Sequence, residues 1–377
     1  MKFYCDRSEL LSAIRIAGRA VAQKSTIPLL EGLLLQAQGS KLVVTGYDLK
    51  TGIRTEVEAE VAEPGIVVLN SKLFTEVISA MPADRLTVIG KDMSIKISCF
   101  SSEFEILSSP AEDFPELPSI DTEDQIRVPQ GILKNMISQT VFAVSDNESK
   151  PIHTGSLFEL VNGELSVVSV DGYRLALRRE DIGEFNRVNE FKQSFVVPGK
   201  TLYEIEKICP DDDELAAITV GSHYILFRMG VTEVISRRLE GEFLDYNRAI
   251  PKEQKYALFV ERKALLTAID RVSLVIDDTL KSPLKLSIGD GIIKIRAVAA
   301  IGKASDECIV KGDGENLEIG FNNRYMLDAL KAAPSDELKL LFNMSVNPCI
   351  IVSADDEQDN FLYMILPVRL SAVDTAV

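Results

Sequence analysis

An α+β chain of three tandem, similarly built domains is what this sequence predicts, and three observations predict it. An amphipathic, helix-forming stretch occurs three times, at Asp6 to Lys24, Ile132 to Val144 and Arg262 to Val272. Each follows a short strand and precedes runs that alternate apolar and polar residues, as half-buried strands do. The first two repeats then close on irregular, Pro-terminated exits, PAEDFPELP at Pro110 to Pro118 and EGEFLDYNRAIP at Glu240 to Pro251. At 377 residues the chain is too long for one ordinary core. The expected domains are 1–120, 121–253 and 254–377.

The first repeat opens with a strand at Lys2 to Cys5. Its helix carries Leu11, Ile14, Gly18 and Val21 on one side and Ser8, Ser12, Arg15 and Arg19 on another. Strands are expected at Leu29 to Ala37, Lys41 to Thr45 and Thr51 to Val61, then a second helix at Lys72 to Met81, halted by Pro82. Three more strands follow, at Leu86 to Ile89, Ser94 to Phe100 and Phe104 to Ser108. The second repeat has the same order: strand Gln125 to Val128, the helix from Ile132, three strands between Gly155 and Arg178, a helix at Lys200 to Ile208, and three strands between Ala216 and Arg237. The third runs from Ala257 to Val260 through the helix from Arg262, strands at Pro283 to Ile288, Ile292 to Ala299 and Glu307 to Lys311, and a helix at Arg324 to Ala332. It ends with strands at Glu337 to Phe342, Cys349 to Ala354 and Phe361 to Leu366. Spacing supports repetition: Leu11 to Leu73 is 62 residues and Leu266 to Leu327 is 61. Two helices between sheet runs must pack together on one sheet face, which gives each domain one helical side.

Charge is distributed unevenly. The whole chain holds 41 Lys and Arg against 57 Asp and Glu, a formal charge of −16, which excludes a protein that coats nucleic acid with its entire surface. The six helical windows nevertheless hold 13 Lys or Arg against 6 Asp or Glu. If the helices share a surface, that surface is positive on an acidic protein and suits a polyanion running past it. Without aromatic platforms or recognition motifs it would hold phosphates and leave bases unread.

No catalytic constellation accompanies this surface. His153 and His223 are the two histidines, far apart and without neighbouring cysteines, so zinc or a His-based relay is not expected. Phosphate-binding glycine loops and the nucleophile-elbow motif are missing. The acidic runs Asp211 to Glu214 and Asp355 to Asp359 lack calcium-loop spacing and read as solvated turns. No metal, cofactor or catalytic residue is expected. Five scattered cysteines without a C-x-x-C pair, a charged amino terminus and no apolar run of membrane length predict a reduced, cytoplasmic protein.

Several stretches carry a resemblance. MKFYCDRSELLSAI at the start, KSTIPLLEGLLLQA at Lys24 to Ala37, SPAEDFPELP, SVDGYRLAL at Ser169 to Leu177, EGEFLDYNRAIP and ILPVRL at Ile365 to Leu370 occur in this order along essentially the whole chain. Together they resemble the bacterial β sliding clamps, processivity subunits of the replicative DNA polymerase. The resemblance implies three copies of the DNA clamp domain per chain and a head-to-tail homodimer forming a six-domain ring, helices inside and sheets outside. It implies an accessory subunit of the DNA polymerase III holoenzyme rather than an enzyme. Implied partners are a second copy, double-stranded DNA without sequence preference, the replicative polymerase, an ATP-dependent clamp loader, and repair polymerases and mismatch-repair proteins with short linear motifs. The alternative is a peptide-binding scaffold that keeps the clamp architecture without DNA.

Residue by residue, Lys24 matches a basic DNA-contacting position of the family. Arg15, Arg19, Lys134, Lys200, Lys207, Lys263 and Lys331 are DNA-facing expectations from their helical locations. The ring-closing surface would join Phe104 and Ile106 to Leu274 and Val275 of a second copy. The family's peptide pocket maps onto Asp171, Gly172, Tyr173, Arg174, Leu175, Leu244, Arg248, Met364, Leu366, Pro367, Val368, Arg369 and Leu370. Leu175, Leu366 and Val368 would offer apolar contact, framed by Arg174, Arg248 and Arg369. Departures are Leu244 where the family often has Pro, Val170 where it commonly has Thr, and SAVDTAV beyond Leu370, which reads as a disordered end.

Overall fold

Asp6 both ends the first strand and starts the first helix. Its side chain accepts from the backbone N–H groups of Ser8 at 2.7 Å and Glu9 at 3.1 Å, satisfying donors that a helix start leaves open. Asn70 and Asn322 cap the later helices of the first and third repeats through the same kind of bond. The structure, a computed structural model, describes residues 1–120, 124–186, 192–276, 282–312, 316–355 and 360–370. The expected tail from Ser371 and most of the acidic turn after Asp355 lie outside the described residues.

In chain order the first repeat contains β1 (Lys2–Asp6), α1 (Arg7–Ala17), β2 (Gly32–Gln38), β3 (Lys41–Tyr47), β4 (Thr51–Glu58), β5 (Glu60–Glu63), β6 (Gly65–Asn70), α2 (Ser71–Ala80), β7 (Arg85–Lys91), β8 (Ser94–Cys99) and β9 (Ser102–Leu107). The second contains β10 (Gln125–Pro129), α3 (Gln130–Ser138), β11 (Gly155–Val161), β12 (Glu164–Val170), β13 (Arg174–Asp181), β14 (Gln193–Pro198), α4 (Gly199–Ile208), β15 (Leu215–Val220), β16 (Tyr224–Met229) and β17 (Thr232–Arg237). A short α5 (Tyr246–Ala249) leads to β18 (Tyr256–Glu261), α6 (Arg262–Ser273), β19 (Leu284–Gly289), β20 (Ile292–Ala299), β21 (Gly302–Ile309), β22 (Leu317–Phe321), α7 (Asn323–Ala332), β23 (Glu337–Phe342), β24 (Cys349–Ser353) and β25 (Phe361–Ile365).

The differences from expectation are themselves repeated. The strands β6, β14 and β22, each just before the second helix of a repeat, were not expected. They are short apolar runs that become strands by pairing with β2, β11 and β19. The first helices of the first two repeats end early, whereas α6 runs its expected length to Ser273. In the second repeat Thr140 donates its hydroxyl to the Met136 carbonyl at 2.7 Å, and the chain tightens into a 3-10 turn at Val141–Ala143 instead of continuing to Val144. The exit EGEFLDYNRAIP, expected to be irregular, contains α5.

Two compact units result: residues 1–134 with 204–238, and 135–203 with 239–377. In the first unit an antiparallel eight-stranded sheet runs β10-β15-β16-β17-β4-β3-β2-β6, beside a five-stranded sheet β5-β1-β7-β8-β9. In the second, an eight-stranded sheet runs β14-β11-β12-β13-β25-β24-β23-β18, beside a four-stranded sheet β21-β20-β19-β22. Each eight-stranded sheet is made from four strands of one repeat and four of the next. The pairings β4 with β17 and β13 with β25 therefore carry a sheet across a repeat boundary.

The cores follow the helix periodicity. In the first unit Leu10, Ile14, Phe74 and Ile78 of α1 and α2 are buried with Phe3, Leu35, Val88 and Ile97 from the strands. In the second, Leu265, Ile269, Met326 and Leu330 of α6 and α7 are buried with Leu286, Ile295, Phe342 and Tyr363. Burying side chains of this size contributes about 1.5–3 kcal/mol each, and the polar faces of the helices are left outward. Among the described residues no helix is long and apolar enough to cross a membrane.

Candidate functional site

The turn between β12 and β13 is built by Asp171. Its Oδ1 accepts from the backbone N–H groups of Tyr173 at 2.8 Å and Arg174 at 2.9 Å, while Gly172 takes φ +93°, a conformation that favours glycine. Tyr173 is thereby held outward, 63% exposed, with its ring stacked at 6.5 Å on Tyr325 of α7. Arg174 is turned the other way. Its Nε donates to Asp171 at 2.9 Å and its Nη1 to Asp328 at 2.7 Å, and the guanidinium lies over the rings of Tyr325 and Phe142.

The last described strand passes this turn. Leu366 donates its N–H to the Tyr173 carbonyl at 2.8 Å, and Val368 donates to the Gly320 carbonyl at 2.8 Å. The two bonds seat Leu366, Pro367 and Val368 against the start of α7 and enclose a cavity of about 460 Å³. Tyr173, Leu366, Pro367 and Val368 of the expected set line it, with Phe321, Asn322, Asn323, Arg324 and Tyr325 opposite and Ile276 and Pro283 at one end. Sequence reasoning placed only a helix from Arg324 here, so this opposite wall was missed. The signal available was two asparagines followed by Arg and Tyr at a helix start, where side chains stand clear of the helix body.

The other expected pocket residues fall elsewhere. Leu175 and Met364 are cross-strand partners, both buried in an apolar cluster with Val170, Leu177, Ile350 and Tyr246. They support the site from within the sheet. Val170 is 2% exposed, so its methyl packs in that cluster. Leu244 precedes α5 and Arg248 lies within it; both are exposed, and Arg248 pairs with Asp245 at 3.0 Å. That segment is fixed by Tyr246, whose hydroxyl donates to Glu159 of β11 at 2.8 Å. Burial, reinforced by the Glu159 carboxylate, raises the Tyr246 phenol above its usual value. Arg369 is exposed and Leu370 lies against Gly320. Arg174, expected to frame the opening, is instead committed to Asp171 and Asp328.

A second concavity, of about 440 Å³ in the first unit, lies between α1 and the end of α4. Arg15, Arg19 and Lys207 line it, with Arg7, Ser8, Leu11, Ser12, Ile16 and Ile208. Arg15 is exposed, and Arg19 donates to Glu204 at 2.8 Å. Lys24, Lys200, Lys263 and Lys331 are exposed, whereas Lys134 is half-buried.

Comparison with known proteins decides the family. The N-terminal, central and C-terminal domains of the DNA polymerase III beta subunit match residues 1–118, 127–245 and 247–369 in tandem. A beta sliding clamp of Halalkalibacterium halodurans is 32% identical, over 98% of this chain and 100% of that one. The chain belongs to the β sliding clamp family. The crystal structure of the DNA polymerase sliding clamp from Bacillus subtilis superposes with a TM-score of 0.92 at 31% identity, covering 98% of this chain and 100% of that one. A sliding clamp from Pseudomonas aeruginosa, solved bound to griselimycin, gives 0.91 at 26% identity with the same coverage.

In this clamp-family chain the expected subunit-joint residues are unequally available. Leu274 is 79% exposed and Phe104 39%, but Ile106 is turned into the first unit's core and Val275 packs partly against the second unit's. Strand alternation explains Ile106, and it leaves the next residue, Leu107, outward at 81%. The clamp's cysteines are all buried free thiols. Burial pushes Cys209 up to about 11, away from the reactive thiolate. Among the described residues no group of His, Cys, Asp or Glu is placed to hold a metal ion.

Proposed function

We propose that this chain is a DNA polymerase processivity factor: two copies close head to tail into a six-domain ring around duplex DNA, and partners dock in the Tyr173 and Val368 cavity. The repeated sheet joint carries this reading. The third strand after the first helix of one repeat, β4 or β13, pairs with the last strand of the following repeat, β17 or β25. In the third repeat the corresponding strand is β21, and the last strand of the first repeat is β9. Among the described residues each has a neighbour on one side only, β20 and β8 respectively. An edge left open at each end of a tandem array is satisfied when β21 of one copy pairs with β9 of another, and two copies close the circle. Exposed Leu107 on β9 and Ile309 on β21 suit that joint, with Leu274 and Phe104 beside it. The domain bounds 1–120, 121–253 and 254–377 accompany this reading.

The mechanism is topological. A closed ring need not bind tightly to stay on DNA, so exposed cations such as Arg15, Lys24, Lys200, Lys263 and Lys331 need only make exchangeable phosphate contacts. The chain works as a non-enzymatic accessory subunit in the cytoplasm. It is loaded by an ATP-dependent clamp loader and recruits replicative and repair polymerases and mismatch-repair proteins by short apolar peptides. The cavity accepts such peptides because apolar Leu366, Pro367 and Val368 face the polar start of α7. The test is loading onto nicked circular DNA followed by linearisation. The ring reading expects retention on the circle and rapid loss after the cut, whereas equal release from both forms would refute it.

A further inference from the structure

Glu204 of α4 sits between two of the cations assigned to the DNA. Its Oε2 accepts from Arg19 Nη1 at 2.8 Å and its Oε1 from Lys207 Nζ at 3.2 Å. One carboxylate thus presents two acceptor oxygens and a unit negative charge to a guanidinium and an ammonium, which is how a backbone phosphate would engage them. Arg15, one helical turn before Arg19 and lining the same groove, is exposed.

We infer that Glu204 is a built-in competitor for DNA phosphates, and that it sets how firmly Arg19 and Lys207 hold the duplex. This rests on the reading of the helical surface as the DNA-facing one. With Glu204 ionised, the three side chains carry one net positive charge instead of two. A phosphate arriving at Arg19 or Lys207 must displace the carboxylate or share the cation with it. The Arg19 and Glu204 side chains are 34% and 22% exposed, so the pair stays in contact with water and exchanges readily. Competition of this kind lowers the gain from any one phosphate register relative to the next, and the ring moves along the backbone without settling. The acid in the groove serves sliding at the expense of grip.

The full-length protein and its Glu204→Gln and Glu204→Asp variants are compared for binding to a short linear duplex as salt is varied, together with their thermal midpoints. Glu204→Gln keeps an acceptor and removes the charge. Its log affinity against log salt should steepen by about 0.9–1.8, the equivalent of one or two added phosphate contacts, so that between 200 and 50 mM salt it gains about 3- to 12-fold on the parent. Once loaded on circular DNA it should also diffuse more slowly. Glu204→Asp should return both readouts toward the parent, and Arg19→Gln added to Glu204→Gln should remove part of the gained slope. A Glu204→Gln slope equal to the parent's, with or without a lower midpoint, makes Glu204 a staple between α1 and α4 and overturns the proposal. A parent without salt-dependent DNA binding overturns the DNA-facing reading beneath it as well, so the two failures are distinguishable.

Discussion

Arg174 lays its guanidinium 4.4 Å from the centre of the Tyr325 ring while donating to Asp328 on the same helix at 2.7 Å. One side chain from β13 therefore fixes both the position and the facing of α7, and through Tyr325 it holds the stacked Tyr173. Planarity matters here: a guanidinium forks between Asp171 and Asp328 and stacks at once, whereas an ammonium cannot. Arg174→Lys should cost about 1 kcal/mol of stability and Arg174→Ala about 2–3, since the latter leaves Asp171, 11% exposed, without its Oδ2 partner, while Asp328, 38% exposed, is met by water. Denaturant unfolding reads the stability. Peptide affinity should fall in the same order, and a Lys variant indistinguishable from the parent in both would contradict this role.

Gly320 tests the seating of the C-terminal segment. A Cβ there would lie 2.7 Å from the Val368 carbonyl oxygen and 2.7 Å from Leu370 Cδ2, and backbone oxygen cannot swing aside as a side chain can. Gly320→Ala should break the Val368 to Gly320 bond, cost about 1–3 kcal/mol and weaken peptide binding at least severalfold. Calorimetric titration of an apolar peptide checks it, with DNA retention as the unaffected control.

Tyr246 anchors the segment that carries Leu244 and Arg248. Tyr246→Phe removes the bond to Glu159 while keeping the ring in its apolar cluster, so about 1 kcal/mol should be lost and the segment should loosen. Faster amide hydrogen exchange over residues 240–251 is the expected readout. Unchanged exchange would mean that the ring alone holds the segment.

Glu233 sits at the β4 and β17 joint, bonded to Arg54 and, at 3.0 Å, to Arg228. Burial pushes its carboxyl up, but the hydrogen bonds and charges of Arg54 and Arg228 outweigh burial and hold it below the usual 4.5. A depressed folded value means that its stabilisation is fully present above pH 4.5 and is lost as pH falls through the folded value. Glu233→Gln should therefore be less stable than the parent by about 1 kcal/mol at pH 7, with the gap closing below pH 4.5. Thermal midpoints from pH 7 to pH 3 show whether the curves converge; parallel curves would exclude the charge as the cause.

The repeat order and the helix faces were legible because they depend on neighbours in the chain. Leu11 and Ile14 recur at helical spacing, and the buried sides of α1, α6 and α7 follow. The strands β6, β14 and β22 were not legible, since a five- or six-residue apolar run shows little period until a partner strand is beside it. The expected pocket divided in the same way. SVDGYRLAL and ILPVRL mark two segments that the fold brings to one cavity, but strand alternation turned Leu175 and Met364 inward while the Asp171 turn sent Tyr173 outward. Arg174 became part of the support because Asp328, 154 residues away, was brought to it. The sequence alone determined three repeats, their helices and a positive bias on them. Tertiary structure decided that Arg19 already holds a carboxylate, because an ion pair depends on distance in space and the chain order does not contain it.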